Sequence, residues 1–234
     1  MTQKISLQEL ISRLKKQIST DKLDKAAVEA ATNDLMELGY SYALAQFNLG
    51  IAYYLGQGVP QDYAQGAAWW RKAADQGDVD AQYNLGVAYD KGKGVAQDYT
   101  QAAAWWRKAA DQGYALAQFN LGVAYERGQG VAQDYAQAVV WYHKAADQGL
   151  AEAQYNLGSA YLTGRGVPQD YAQAADWFRK AADQGLADAQ AALGTAYFMG
   201  RGVAQDYAQA VAWWRKAAAG GNITAQEVLS QLGQ

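Results

Sequence analysis

The chain has 234 residues, half of them hydrophobic, with a net charge of −3 and no cysteine. Without cysteine there can be no disulfide, thiolate metal site or cysteine nucleophile, and the mild acidity is not the basic footprint of a nucleic-acid binder. No stretch approaches the uninterrupted apolar length of a membrane span.

The N-terminal region opens with Ser6-Leu7-Gln8-Glu9, the spacing of a capping box, followed by an apolar stripe at Leu7, Leu10, Ile11, Leu14 and Ile18. A second helix is predicted from about Asp21 to Leu38. Residues 1–41 are therefore expected to form a two-helix cap on the remainder of the chain. The opening MTQKISLQELISRLKKQ lacks the continuous apolar core of a signal peptide. The chain as it stands is expected in the cytoplasm, with export open only if a leader has been removed.

From residue 42 the sequence repeats every 36 residues: QDYAQGAAWWRKAADQG at 61–77 returns at 97–113, 133–149, 169–185 and 205–221. Each repeat begins with a segment such as AQYNLGVAY (81–89), in which Ala81, Leu85 and Tyr89 fall on one helix face. Counterparts begin at Ala45, Ala117, Ala153, Ala189 and Ala225. Glycines such as Gly56 and Gly58 break the chain. Asp62, Asp98, Asp134, Asp170 and Asp206 then stand where a second helix starts, each with Gln three residues on, the spacing of a capping box. The second helix carries an aromatic pair (Trp69 and Trp70 in the first copy), then Arg-Lys, and stops at Gly77 and its copies. Glycine recurs mid-helix at Gly50, Gly86, Gly122, Gly158 and Gly194, where it costs about 1 kcal/mol relative to Ala. Close contact with the repeat's own second helix would explain that cost. The final segment has no second helix, and there the position holds Ser230. Pro60 and Pro168 exchange with Ala96, Ala132 and Ala204 before Gln-Asp, which suits a residue with an unused N–H.

The pattern A-Q-x-x-L-G-x-x-Y-x-x-G-x-G-V-x-Q-D-Y-x-x-A-x-x-W-x-x-K-A-A-x-x-G resembles the Sel-one-like repeat, a relative of the tetratricopeptide repeat. The resemblance covers about three quarters of the chain. It implies an all-α fold, a right-handed α/α solenoid of helical hairpins, with first helices lining a concave surface. The repeats would be 42–77, 78–113, 114–149, 150–185 and 186–221, closed by a half-repeat helix over 222–234. It further implies a bacterial, non-catalytic protein-interaction scaffold or adaptor that binds a protein or extended peptide on the concave face. Two alternatives stay open: an immunity-type inhibitor occluding one enzyme, and a self-associating or designed solenoid with no dedicated ligand. Some tetratricopeptide grooves clamp a terminal carboxylate with Lys and Asn, but the matching positions here hold Phe47, Ile51, Tyr83 and Val87, so that mode is not expected.

Numbering each repeat from 42, 78, 114, 150 and 186, the first helix varies at positions 3, 6, 10, 13 and 14, which share one face. This face is the predicted partner-binding surface. Its candidates are Leu44, Phe47, Ile51 and Tyr54 in the first repeat, Asp80, Tyr83, Val87 and Asp90 in the second, and Leu116, Phe119, Val123 and Glu126 in the third. Glu152, Tyr155 and Ser159 follow in the fourth, and Asp188 in the fifth. The aromatics would supply contact area and the acids a bias toward basic or amide-rich partners. Position 6 has a second reading, as core wedged between repeats, and Asn48, Asn84, Asn120 and Asn156 read as a structural ladder.

The rest of the chain offers little chemistry. His143, the only histidine, fills the position of Arg71, Arg107, Arg179 and Arg215 and reads as a surface substitution. The repeated G-x-G lacks the strand that a dinucleotide fingerprint needs. Asp75, Asp78 and Asp80 do not match an EF-hand order and read as solvated helix ends. The expectation is no enzyme activity, no cofactor and no metal, with partners that are neither nucleic acid nor a spanned membrane.

Overall fold

A computed structural model describes residues 42–57 and 59–233; the expected N-terminal cap lies outside the described residues. Among them are eleven α-helices and no strand. They are α1 (Tyr42–Leu55), α2 (Tyr63–Asp75), α3 (Val79–Lys91), α4 (Tyr99–Asp111), α5 (Ala115–Arg127), α6 (Tyr135–Asp147), α7 (Ala151–Thr163), α8 (Tyr171–Asp183), α9 (Ala187–Met199), α10 (Tyr207–Ala219) and α11 (Ile223–Gln231). The fold is an all-α solenoid of 36-residue helical hairpins. It divides into two compact units, the first ending at Gln112 and the second beginning at Gly113.

Each hairpin closes for reasons local to its sequence. The Asp62 carboxylate accepts hydrogen bonds from the backbone N–H groups of Ala64 and Gln65, at 2.9 and 3.0 Å, and so caps α2. The reciprocal half of the expected capping box is absent, because the Asp62 N–H donates instead to the Tyr53 carbonyl of α1 at 2.9 Å. The same bond joins Asp98 to Tyr89, Asp134 to Tyr125, Asp170 to Tyr161 and Asp206 to Tyr197. One aspartate therefore starts the second helix with its side chain and ties it to the first with its backbone. The second helices end at Asp75 and its equivalents, two residues before the glycine predicted to stop them.

Within each hairpin the mid-helix glycine makes room for a ring. A Cβ on Gly86 would lie 2.5 Å from Trp106, and one on Gly122 2.6 Å from Tyr142. The helical penalty of glycine is thus offset by packing of a large aromatic against bare backbone. The second glycine of G-x-G has a similar cause between hairpins: a Cβ on Gly166 would fall 2.2 Å from the Tyr135 carbonyl oxygen.

In the first unit one core cluster consists of Ala67, Trp70, Ala73 and Ala74 of α2, Ala81, Leu85 and Ala88 of α3, and Trp105 of α4. In the second unit the same positions recur around Leu157 and Leu193, both fully buried. Burying one such leucine contributes about 1.5–3 kcal/mol.

A buried glutamine ladder links successive hairpins. Gln154 Nε2 donates to the Ala146 carbonyl of the preceding second helix at 3.2 Å, while its Oε1 accepts from Gln184 at 2.8 Å. Gln82 does the same between Ala74 and Gln112, at 3.1 and 2.8 Å. A buried amide left unpaired costs about 1–3 kcal/mol, so this arrangement fixes hairpin register as well as adding stability.

Candidate functional site

The positions that vary between repeats lie on the first helices, on the side away from the Ala-Leu core. Of the residues predicted to bind a partner, Leu116, Glu152 and Asp188 are exposed. Leu44, Phe47, Ile51, Tyr54, Asp80, Tyr83, Val87, Asp90, Phe119, Val123, Glu126, Tyr155 and Ser159 are half-buried. The aromatics Phe47, Tyr83, Phe119 and Tyr155 at position 6 are half-buried. Phe47 packs against the first unit's core, Phe119 lies 5.9 Å from the Tyr142 ring, and Tyr155 lies 5.7 Å from Phe178, yet none is fully covered. The ring partners of Phe119 and Tyr155 stand in the hairpin's own second helix. The face is consequently stiffer than a free apolar strip, since these rings are backed by others.

On the first helices of the five repeats, large apolar side chains are exposed at positions 13 and 14 as well as at Leu116. Leu55 is 53% exposed, Met199 49% and Phe198 38%, and these three were outside the predicted set. The variation at positions 13 and 14 was the available signal.

The third and fourth repeats depart from the apolar pattern. A cavity of about 100 Å³ opens between α5, α6 and α7. Its floor is Ala138, Val139, Tyr142 and Ala160, all buried, and its rim includes Glu126, Tyr135, Asn156, Ser159, Thr163 and Arg165. The Tyr142 hydroxyl donates to the Glu126 carboxylate, and the Asn156 side chain bonds the same hydroxyl. Burial foremost, then the bond to Glu126 and its negative charge, push the Tyr142 hydroxyl far above the ordinary tyrosine value. It stays a donor throughout the physiological range. Arg165 rests over the Tyr135 ring, its guanidinium carbon 5.7 Å from the centroid.

His143 is half-buried rather than on the surface. Its ring meets Trp177 edge-on at 5.5 Å, and its Nε2 lies 3.4 Å from the Tyr161 hydroxyl. It fills the role of Arg179, which donates to the Tyr197 hydroxyl at 3.2 Å. Asp78 caps α3 by accepting from Ala81 N–H at 2.8 Å, and no group of metal-ligating side chains occurs among the described residues. No described helix is long and apolar enough to cross a membrane.

The Sel1 repeat matches residues 43–78, 79–114, 115–150, 151–186 and 187–222. The chain belongs to the Sel1 repeat family. Proteins of this family are typically interaction scaffolds and are generally non-catalytic. Among solved structures, a protective antigen of uropathogenic Escherichia coli with an SLR fold is 38% identical, with a TM-score of 0.81 over 94% of this chain. The chain spans 47% of that antigen's length. A Sel1 repeat protein from Oxalobacter formigenes is 33% identical, with a TM-score of 0.79 over 96% of this chain and 89% of its own. An immunity protein from Pseudomonas aeruginosa shares the fold at 21% identity, with a TM-score of 0.50 over 91% of this chain and 81% of its own. No curated protein matches the chain.

Proposed function

We propose that this Sel1 repeat protein is a non-catalytic scaffold that holds a protein or extended peptide against the outer faces of its first helices. The observation that carries this reading is the split within each first helix. Positions 4, 5, 8 and 9 are nearly invariant and buried, whereas positions 3, 6, 10, 13 and 14 change chemistry from repeat to repeat. A solenoid that only had to stand up would have no use for that variety, whereas a surface read by a partner would. Leu44, Ile51, Leu116 and Val123 would give apolar contact; Asp80, Asp90, Glu126, Glu152 and Asp188 would favour basic segments.

The test is selection of a displayed peptide library on the full chain, followed by hydrogen-exchange mapping with the winning peptide. Protection is expected on first helices and lost in a folded Leu116→Ser/Glu152→Lys variant. Protection on second helices, or failure to select any sequence, would overturn the reading. Exclusive tight binding to a folded enzyme, with no peptide selected, is the outcome expected of an immunity-type inhibitor.

A further inference from the structure

The cavity between α5, α6 and α7 is lined by residues that differ from their counterparts in the first and fifth repeats. In the first repeat the equivalent positions hold the Tyr54 and Trp70 rings, 4.8 Å apart. In the fifth they hold Phe198 and Trp214, 5.5 Å apart. The third repeat carries Glu126 and Tyr142 at those positions, and the fourth carries Ser159 where the first three have Ile51, Val87 and Val123. These polar replacements converge on one cavity, and two of them are bonded to each other. Random drift at separate surface positions would not assemble a satisfied, half-buried pair beside an opening.

The lining holds one carboxylate, Glu126, and one guanidinium, Arg165, which lies over the Tyr135 ring at the rim. Tyr142 occupies one Glu126 oxygen; among the described residues the other accepts no hydrogen bond. Asn156, bonded to the Tyr142 hydroxyl, and Ser159 border the same space. The walls include the rings of Tyr142 and of Tyr135, the latter already covered by Arg165. The volume admits several waters, and so the end of a long side chain. A guanidinium is matched by two carboxylate oxygens in a fork, and Glu126 has only one free. An ammonium carries three donors that rotate to meet separately placed acceptors.

We infer that this cavity is an anchor for a lysine side chain of the bound segment, its ammonium received by Glu126, Asn156 and Ser159. The inference rests on the proposed use of the first-helix face and adds to it a side-chain preference.

The experiment is a heteronuclear NMR titration of the full chain with the capped peptide Ala-Ser-Lys-Ser-Ala and its Arg and Met counterparts. The lysine peptide is expected to shift the amides of Asn156, Ser159 and Thr163 and to bind about ten-fold more tightly than the methionine peptide. Glu126→Gln preserves the bulk and should reduce lysine to the methionine level. Tyr142→Trp should do the same by filling the cavity, and it is expected to fold because Trp106 and Trp214 already occupy that position. Equal binding of the three peptides on the first helices, or arginine binding better than lysine, overturns the lysine anchor while leaving the scaffold reading intact. Shifts confined to second helices, or no shift at millimolar peptide, overturn both.

Discussion

The grooves of the first and third repeats are built on the same backbone plan and filled with opposite chemistry. In the first, Tyr54 lies 4.8 Å from both the Tyr63 and Trp70 rings and stands at the centre of an aromatic triad. In the third, Glu126, Tyr135 and Tyr142 take those three positions, and the triad becomes a hydrogen-bonded acid and phenol beside a cavity. Flanking features persist. An aspartate caps α2 and α6 alike, and a cation from the next repeat covers the first tyrosine of each second helix, Lys93 over Tyr63 and Arg165 over Tyr135. The repeat is thus a fixed frame around positions 13 and 29, whose side chains meet as Tyr54 and Trp70 in the first repeat and as Glu126 and Tyr142 in the third.

The largest expected difference between the two grooves concerns their yielding. A Cβ on Gly50 would lie 2.3 Å from Trp70, a ring held in place by Tyr54. A Cβ on Gly122 would lie 2.6 Å from Tyr142, which has the cavity to move into. Gly50→Ala should destabilise by about 2–3 kcal/mol and Gly122→Ala by about 1 kcal/mol, overpacking being partly offset by helix propensity in both. Urea unfolding of the two variants measures this. Equal losses would mean that the cavity gives Tyr142 no freedom.

The period, the helix pairing and the role of the mid-helix glycine were all legible in the sequence, because each depends on neighbours within one hairpin. Gly86 could be assigned to close packing from its recurrence and from Ser230, where the second helix is missing. The aspartate cap was half legible. Its side-chain bonds follow from spacing, but the donation from Asp62 N–H to Tyr53 depends on how the hairpin folds back. The glutamine ladder was out of reach, since Gln154 finds its partners 8 and 30 residues away. For the candidate site, the variable face could be read from the differences between copies. The Glu126–Tyr142 pair could not, because joining residues 16 apart requires the register of two packed helices. Position 6 was ambiguous in sequence because its rings are half-buried, with Phe119 and Tyr155 backed by rings of their own hairpins.

Exchanging the pair sharpens the comparison next. Glu126→Tyr alone strips Tyr142 of its acceptor, and Tyr142→Trp alone strips Glu126 of its hydroxyl donor. The double variant recreates the Tyr54–Trp70 pairing. Each single change should cost about 1–1.5 kcal/mol and the double variant little or nothing, giving a coupling of about 2–3 kcal/mol in a double-mutant cycle. Additive losses would show that positions 13 and 29 are independent.

The pair should also be visible in alkaline stability. The folded state holds the Tyr142 hydroxyl protonated well above 10.0, the ordinary value at which the unfolded chain releases that proton. A raised value means the stabilisation is complete below about pH 10 and is lost as pH rises beyond it, by up to about 1.4 kcal/mol per pH unit. The stability gap between the native chain and Tyr142→Phe should therefore be constant at neutral pH and shrink above about pH 10. The raised Tyr53 is common to both proteins and cancels. A gap that does not change with pH would remove the buried phenol as a source of alkaline sensitivity.

The smallest effect separates what the grooves share from what distinguishes them. Lys93 and Arg165 cover equivalent tyrosines at 5.4 and 5.7 Å, and removing either cation should cost the same, about 0.5 kcal/mol. The consequences for binding should differ. Lys93 borders a groove packed with rings, so Lys93→Gln should leave peptide affinity unchanged. Arg165 stands on the rim of a cavity whose carboxylate is to receive an ammonium, and its charge opposes that of the incoming group. Arg165→Gln should strengthen lysine-peptide binding by a few-fold, with less effect as salt is raised, because an exposed charge is screened over about 10 Å at 0.1 M. Weaker binding in Arg165→Gln would mean that the cavity receives an anion, and the assignment of Glu126 as the receiving group would have to be reversed.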